Sequence, residues 1–189
     1  NMSTEGTLLA ADFDGDSLTD LALVKEKDVY IAAGTPTGLG PIGLSRVKGL
    51  TGQLGAGDFN GDGLADICTY KPGSEKALSI LYGEGNGEFR PAKVSPWNPG
   101  GVGGTLVVAD FNGDNYCDIA VYDGKAFNFW FGRGNGSFGP KPAEEKARDH
   151  SESHLKASFD WSVREDALPL AGQVDSDGTP DIGLYLPST

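Results

Sequence analysis

The chain has 189 residues and a formal net charge of −12, with 29 Gly, 11 Pro, two Cys and two His. That length can bury a real core as one compact domain or a small array, and the Gly and Pro content suits short strands joined by tight turns rather than helices. No apolar run approaches the ~20 residues of a membrane-spanning helix, and no basic concentration suggests nucleic acid. The polar start, Asn1–Gly6, shows no signal peptide.

In chain order, the first unit opens with strand A at Leu8–Asp12, followed by the loop DFDGDSLTD and strand B at Leu21–Val24. Strand C at Val29–Ala33 ends at Gly34, and a GTPTGLGP turn leads to strand D at Ile42–Val47. The second unit repeats this plan. Strand A is Leu54–Asp58, the loop DFNGDGLAD, strand B Ile67–Tyr70, strand C Leu78–Tyr82, the turn GEGNGEFRP and strand D Ala92–Trp97. The third has Leu106–Asp110, DFNGDNYCD, Ile119–Tyr122, Phe127–Phe131 and GRGNGSFGP, then a polar insertion at Lys141–His154 before a looser strand D at Leu155–Trp161. The fourth has Leu168–Gln173, QVDSDGTPD and Ile182–Tyr185.

The expected fold is therefore all-β: a β-propeller or propeller segment of four-stranded antiparallel blades, three full repeats plus a partial fourth. The expected boundaries within a single domain, 1–189, are about 7–53, 54–105, 106–167 and 168–189. Ala22, Cys68, Ala120 and Gly183 are small enough to let neighbouring sheets approach. Phe13, Phe59 and Phe111, at loop position 2, are expected to plug between blades.

The loops carry the chemistry. Oxygen-bearing side chains stand at positions 1, 3, 5 and 9 of every copy: Asp12, Asp14, Asp16, Asp20; Asp58, Asn60, Asp62, Asp66; Asp110, Asn112, Asp114, Asp118; Gln173, Asp175, Asp177, Asp181. The four loops hold 13 Asp and no Lys or Arg, which leaves the rest of the chain at +1. Carboxylates crowded in a tight turn repel one another unless something positive fills the centre. Hard oxygens at short range suit Ca²⁺, which takes 6–8 of them at roughly 2.3–2.6 Å. The absence of Cys and His from these positions argues against zinc and softer metals. One such turn would read as a solvated acidic loop; four in register favour a metal.

Position 7 would lend a backbone carbonyl, from Leu18, Leu64, Tyr116 and Thr179. Glycine at position 4 (Gly15, Gly61, Gly113) permits a backbone conformation that a side chain resists. The loop is not an EF-hand, which wants Gly at position 6, Glu at position 12 and flanking helices. Position 12 here is Leu23, Thr69, Val121 or Leu184, inside a strand.

DFNGDGLAD followed by a strand, a Gly-rich turn and a Phe-Gly-Pro end resembles the FG-GAP/VCBS repeat of integrin-α-type β-propellers. The resemblance spans about Leu8 to Pro187 and implies Ca²⁺ in each A–B loop. Three sites are expected, with a fourth weaker, because Gln173 replaces the first Asp and Ser176 the glycine. It also implies a non-catalytic module for extracellular recognition or adhesion, secreted or at the cell surface. Its partner would be an extracellular protein or a glycan, with no nucleic acid and no membrane insertion. The alternative is an accessory, carbohydrate-binding domain of a secreted polysaccharide-active enzyme.

Other features carry less. His150 and His154 lack a third zinc ligand and read as part of the polar insertion. The Gly-rich turns lack a following helix and Lys-Ser/Thr, so they read as hairpins rather than phosphate cradles. Asn135-Gly136-Ser137 matches a glycosylation sequon by pattern, as a Gly/Asn-rich turn does by chance. Cys68 and Cys117 occupy non-equivalent positions, and a disulfide between them is not expected. Trp97, Trp130 and Trp161, with Tyr82 and Phe129, are sugar-stacking candidates whose commoner role is core. The lysine-bearing B–C turns, Lys25–Asp28, Lys71–Lys76 and Asp123–Lys125, are the expected recognition end.

Overall fold

A computed structural model describes residues 6–26, 28–74, 77–92, 102–139, 168–172 and 178–185. Three four-stranded antiparallel sheets and one two-stranded sheet follow one another along the chain. The first holds β1 (Thr7–Ala11), β2 (Asp20–Lys25), β3 (Asp28–Thr35) and β4 (Gly38–Lys48). The second holds β5 (Gln53–Gly57), β6 (Asp66–Tyr70), β7 (Leu78–Gly83) and β8 (Phe89–Pro91). The third holds β9 (Thr105–Ala109), β10 (Asp118–Tyr122), β11 (Phe127–Gly132) and β12 (Phe138–Gly139), and the last β13 (Leu168–Gly172) and β14 (Asp181–Tyr185). Each sheet is a meander in which sequence neighbours pair. The innermost strands β1, β5, β9 and β13 are successive neighbours across sheets, as blades of a propeller are around their axis.

The core lies between blades. Leu9, Ala22, Val24 and Val29 of the first blade meet Ala65, Ile67, Leu54 and Ala56 of the second. Cys68, Tyr70, Leu78 and Ile80 of the second meet Ile119, Val121, Leu106 and Val108 of the third. With a sheet on either side, β6 and β10 are buried along their whole length, so both faces carry apolar or small residues. Phe13 and Phe59, each 1% exposed, meet Phe89 and Phe138 of the next blade edge-on, with centroids 5.9 and 5.8 Å apart. Phe111 instead packs on Phe129 of its own blade, at 5.3 Å. Tyr82 is buried and Trp130 packs against the second core, which is the commoner role expected of them.

The fourth strands depart from expectation. Gly83 pairs with Phe89 and Gly132 with Phe138, so the aromatic residue opens the strand instead of ending the turn. The turn closes more tightly than its sequence suggests, with Glu84 N–H donating to the Glu88 carbonyl and Arg133 N–H to that of Ser137. Ala92 lies beyond β8. The rest of the expected Ala92–Trp97 strand, the strand at Leu155–Trp161, the insertion at Lys141–His154 and Lys76 fall outside the described residues.

Candidate metal centre

The first three A–B loops are built by the same backbone geometry. Position 4 is left-handed at Gly15, Gly61 and Gly113, with φ of 83°, 79° and 74°. Position 6 is left-handed as well, at Ser17 (69°), Gly63 (84°), Asn115 (69°) and Gly178 (89°). The sequence pattern shows the first of these and hides the second, because Ser, Gly and Asn alternate at position 6. A sharp turn at that place is a feature shared with the EF-hand loop, in spite of the different flanking structure.

Two left-handed residues turn the amides inward onto the first carboxylate. One oxygen of Asp12 accepts the Gly15 N–H at 2.6 Å and the other that of Ser17 at 2.8 Å. Asp58 does the same with Gly61 and Gly63, and Asp110 with Gly113 and Asn115. Positions 3 and 5 accept N–H groups two residues on: Asp16 to Asp14, Asp62 to Asn60, Asp114 to Asn112, and Leu18, Leu64 and Tyr116 to Asp16, Asp62 and Asp114. In the second and third loops the position-3 Asn also donates its amide to the position-5 carboxylate, at 3.0 Å each.

The position-9 carboxylate closes the loop from beneath. Asp20, Asp66 and Asp118 are fully buried. Each accepts the position-2 N–H on one oxygen, from Phe13, Phe59 or Phe111 at 2.7–2.9 Å. The other oxygen accepts the N–H of Gly34, Gly83 or Gly132 at the C–D turn, at 2.6–2.9 Å. A carboxylate has roughly four lone-pair sites, so two remain for an ion. Burial pushes the Asp66 carboxyl up to about 6, with the charges of Asp62 and Asp58 adding to it against the Gly83 and Phe59 amides. Burial likewise pushes Asp118 up to about 7, with Asp114 and Asp110 adding.

In the first loop, oxygens of Asp12, Asp14 and Asp20 lie within 4.8 Å of one another. Two oxygens on one Ca²⁺ are separated by at most about 5 Å, twice the metal–oxygen distance, so this donor set fits that ion. The other two loops hold Asn60 and Asn112 where Asp14 stands, which lowers their charge by one. Of the fourth loop, Thr179 and Asp181 are described, whereas Gln173, Asp175 and Asp177 lie outside the described residues. Cys68 and Cys117 are free thiols, and burial pushes both up to about 12.

Positions 7 and 8 join one copy to the next, a role invisible within a single repeat. The side chains of Leu64 and Tyr116 lie over Gly15 and Gly61, too close for a Cβ to fit unshifted, and that of Thr179 lies over Gly113 at ordinary contact distance. Ala65 N–H donates to the Asp12 carbonyl and Cys117 N–H to the Asp58 carbonyl, both at 2.7 Å. The corresponding residue of the fourth loop is Pro180, which has no N–H to give. Between the second and third loops lies an open cleft of about 520 Å³ lined by Asp58, Asp110, Asp114 and Tyr116.

Known proteins share this architecture. The model of the FG-GAP-like repeat matches residues 12–69 and 58–121, together more than half of the chain. The chain belongs to the FG-GAP-like repeat family. The matched stretch runs from the first loop through β10, so it takes in the three loops with the shared hydrogen-bond pattern. Two solved structures share the fold. One is an Agrocybe aegerita lectin described as recognising non-reducing terminal N-acetylglucosamine, at 19% identity and TM-score 0.61, covering 96% of this chain and 47% of the lectin. The other is the Photorhabdus luminescens Tc holotoxin pore carrying the TccC3-D651A mutation, at 18% identity and TM-score 0.56, covering 97% of this chain and 8% of that one. The FG-GAP chain thus spans less than half the length of either. No curated protein matches it.

Proposed function

We propose that the chain is a non-catalytic recognition module whose A–B loops bind calcium and whose ligand is an extracellular protein or a glycan. The observation that carries the metal reading is the convergence of Asp12, Asp14 and Asp20 within 4.8 Å. Among the described residues the salt bridges Arg46–Glu88 and Lys48–Asp28 both lie away from the first three loops. Asp12, Asp14, Asp16 and Asp20, with the Leu18 carbonyl, would hold the first ion; their counterparts through Asp118 would hold the second and third. A fourth, weaker site would use Gln173, Asp175, Asp177, Thr179 and Asp181. The ion supplies charge neutralisation and stiffness, not chemistry. An extracellular setting suits such sites, since extracellular modules work with calcium affinities of ~10⁻⁴–10⁻³ M.

For the ligand, a cleft of about 290 Å³ between the first two blades is the better candidate than the lysine-bearing turns. It combines polar groups of Ser45, Asn86 and Glu88 with the apolar walls of Phe13, Ile31 and Ala33, the mixture small-ligand sites use. It opens beside the A–B and C–D loops, the end opposite Lys71 and Lys125. The lectin neighbour makes glycans the first class to test. Calorimetric titration with Ca²⁺ is expected to give at least three sites. A glycan array that includes terminal N-acetylglucosamine should show binding lost in Asn86→Ala and kept in Lys71→Glu. Heat-free titration would sink the metal reading; loss of binding in Lys71→Glu alone would move the ligand to the other end.

A further inference from the structure

The junctions of the first with the second blade and of the second with the third differ at one place on the third strand. Ala22 pairs with Ile31 in the first blade and Cys68 with Ile80 in the second. Ala33 and Tyr82, two residues on, therefore hold the same place on the face turned to the next blade. In the third blade Ala120 pairs with Phe129, which puts Phe131 there. Tyr82 is buried in one core cluster with Phe59 and Phe138, and the Arg90 guanidinium lies over its ring at 5.1 Å. Phe13 and Phe89 are the matching pair at the first junction. There a methyl group stands where the second junction has a phenol ring, and Ala33 lines an open cleft of about 290 Å³.

The neighbouring strand adds to the difference. In the second blade Leu81 pairs with Pro91, Tyr82 with Arg90 and Gly83 with Phe89, in step. In the first, Ala32 pairs with Ile42 and Gly34 with Leu39, so Gly40 and Pro41 together stand opposite Ala33. That is a β-bulge, which bends the strand at this point. Gly43, further along, brings no side chain to the cleft wall. Ser45 also lines the cleft and is 4% exposed. Its hydroxyl accepts the Val47 N–H at 3.3 Å and has no acceptor for its own proton among the described residues. Glu88 reaches across from the second blade, its carboxylate accepting the Arg46 N–H at 3.1 Å and paired with the Arg46 guanidinium at 3.6 Å.

Building on the reading of this cleft as the ligand site, we propose that Ala33 decides which of the two junctions takes a ligand, and that the ligand is a single uncharged sugar ring. The cleft lies at the lower end of the ~300–1,000 Å³ of small-molecule sites, which is room for one ring and not for an extended chain. Sugar hydroxyls, each with one donor and two acceptor sites, can take the Ser45 proton and give one to Glu88. Acidic sugars are repelled, because Asp14, Asp20 and Glu88 all line the cleft. The four Asp of the first loop outweigh the two charges of one calcium ion, so the repulsion persists when that loop is filled. At the second junction the Tyr82 ring already occupies the room a sugar would need.

The test follows the backbone amide shifts of the isotope-labelled chain in calcium while methyl glycosides of N-acetylglucosamine, galactose, mannose and glucuronic acid are added in turn. At least one neutral glycoside should move the amides of Ser45, Asn86 and Gly87. The amides of Asn135 and Gly136, their counterparts in the next C–D turn, should stay in place, and the glucuronide should not bind. Ala33→Tyr should weaken binding by about tenfold or more, since it builds a clash into the site. Ala33→Leu is the smaller plug should the tyrosine variant fail to fold, and a melting temperature no lower than that of the parent chain shows that either is intact. Lys71→Glu should bind as the parent does. Binding that survives the plug in a folded chain overturns the proposal, and the cleft remains the ligand site if the Asn86 and Gly87 amides still move. Equal movement at Asn135 and Gly136, or a glucuronide that binds as tightly as the neutral sugars, overturns it too. If none of the glycosides moves the Ser45, Asn86 and Gly87 amides, the reading of the cleft itself fails and the role of Ala33 falls with it.

Discussion

Asp118 illustrates how one carboxylate serves two masters. Its oxygens tie the A–B loop to the C–D turn through the Phe111 and Gly132 amides, yet burial holds its carboxyl up at about 7. Asp66, up at about 6, is in the same position. Both lie above the unfolded value of 3.8, so the folded chain takes up protons in this range. Their contribution to stability is then full below about pH 4 and is lost as pH rises through 6 and 7. In chelator, the melting temperature should fall between about pH 5 and about pH 7.5, and Asp118→Asn should flatten that slope. Calcium, which competes with protons for the same oxygens, should abolish or invert it. A slope that is the same with and without the ion would show that these carboxylates do not meet a metal. Asp62→Ala should remove one equivalent of calcium in titration, whereas Glu144→Ala should alter neither the metal count nor stability by more than ~0.5 kcal/mol.

At the scale of the element, the loop stands on backbone conformation as much as on its acids. Gly61 has φ of 79° and lies under the Tyr116 ring. Gly61→Ala should therefore cost more than the ~1 kcal/mol ordinary for a left-handed glycine, and pairing it with Tyr116→Ala should recover part of the loss in a double-mutant cycle. Phe59→Ala, which empties a site between two blades, should cost ~3–5 kcal/mol in denaturant unfolding. Much of this was legible beforehand. Oxygen residues at alternate positions marked the loops, and DLALV, DICTY, DIAVY and DIGLY marked the strands behind them. Phe13 and Phe59 at position 2 are buried as expected, whereas Phe111 is half-buried against its own blade. What stayed hidden involves two copies at once. Nothing in a single repeat shows that Leu64 lies over Gly15, or that the amide of Ala65 has its acceptor one blade away. The outermost strands were misplaced for a related reason. Phe89 and Phe138 sit among Gly and Pro, so they read as turn residues until their pairing with Gly83 and Gly132 is seen.

For the whole molecule, stability should be a property of the array and of its ions together. Each blade contacts mainly its neighbours, so stability is close to a sum of unit and junction contributions. At a calcium concentration near 100 times Kd, every site that binds only the folded form adds ~2.7 kcal/mol. Excess chelator should lower the melting temperature markedly, and an unchanged curve would show that the loops hold their shape without an ion.

The hydrogen bonds from Ala65 to Asp12 and from Cys117 to Asp58 also make the loops a line of communication. Asp12 and Asp58 each offer a carbonyl to the next blade and, in the proposed sites, would offer a carboxylate to their own ion. An ion that fixed the carboxylate would fix the carbonyl, and so would ready the following loop for its own ion. Occupancy of the first three centres should accordingly be cooperative, with a calcium titration steeper than independent sites allow. At Pro180 the line lacks its N–H donor. The fourth loop should fill without regard to the other three, and Ala65→Pro should cut the line two junctions earlier, leaving the second and third sites coupled to each other but deaf to the first.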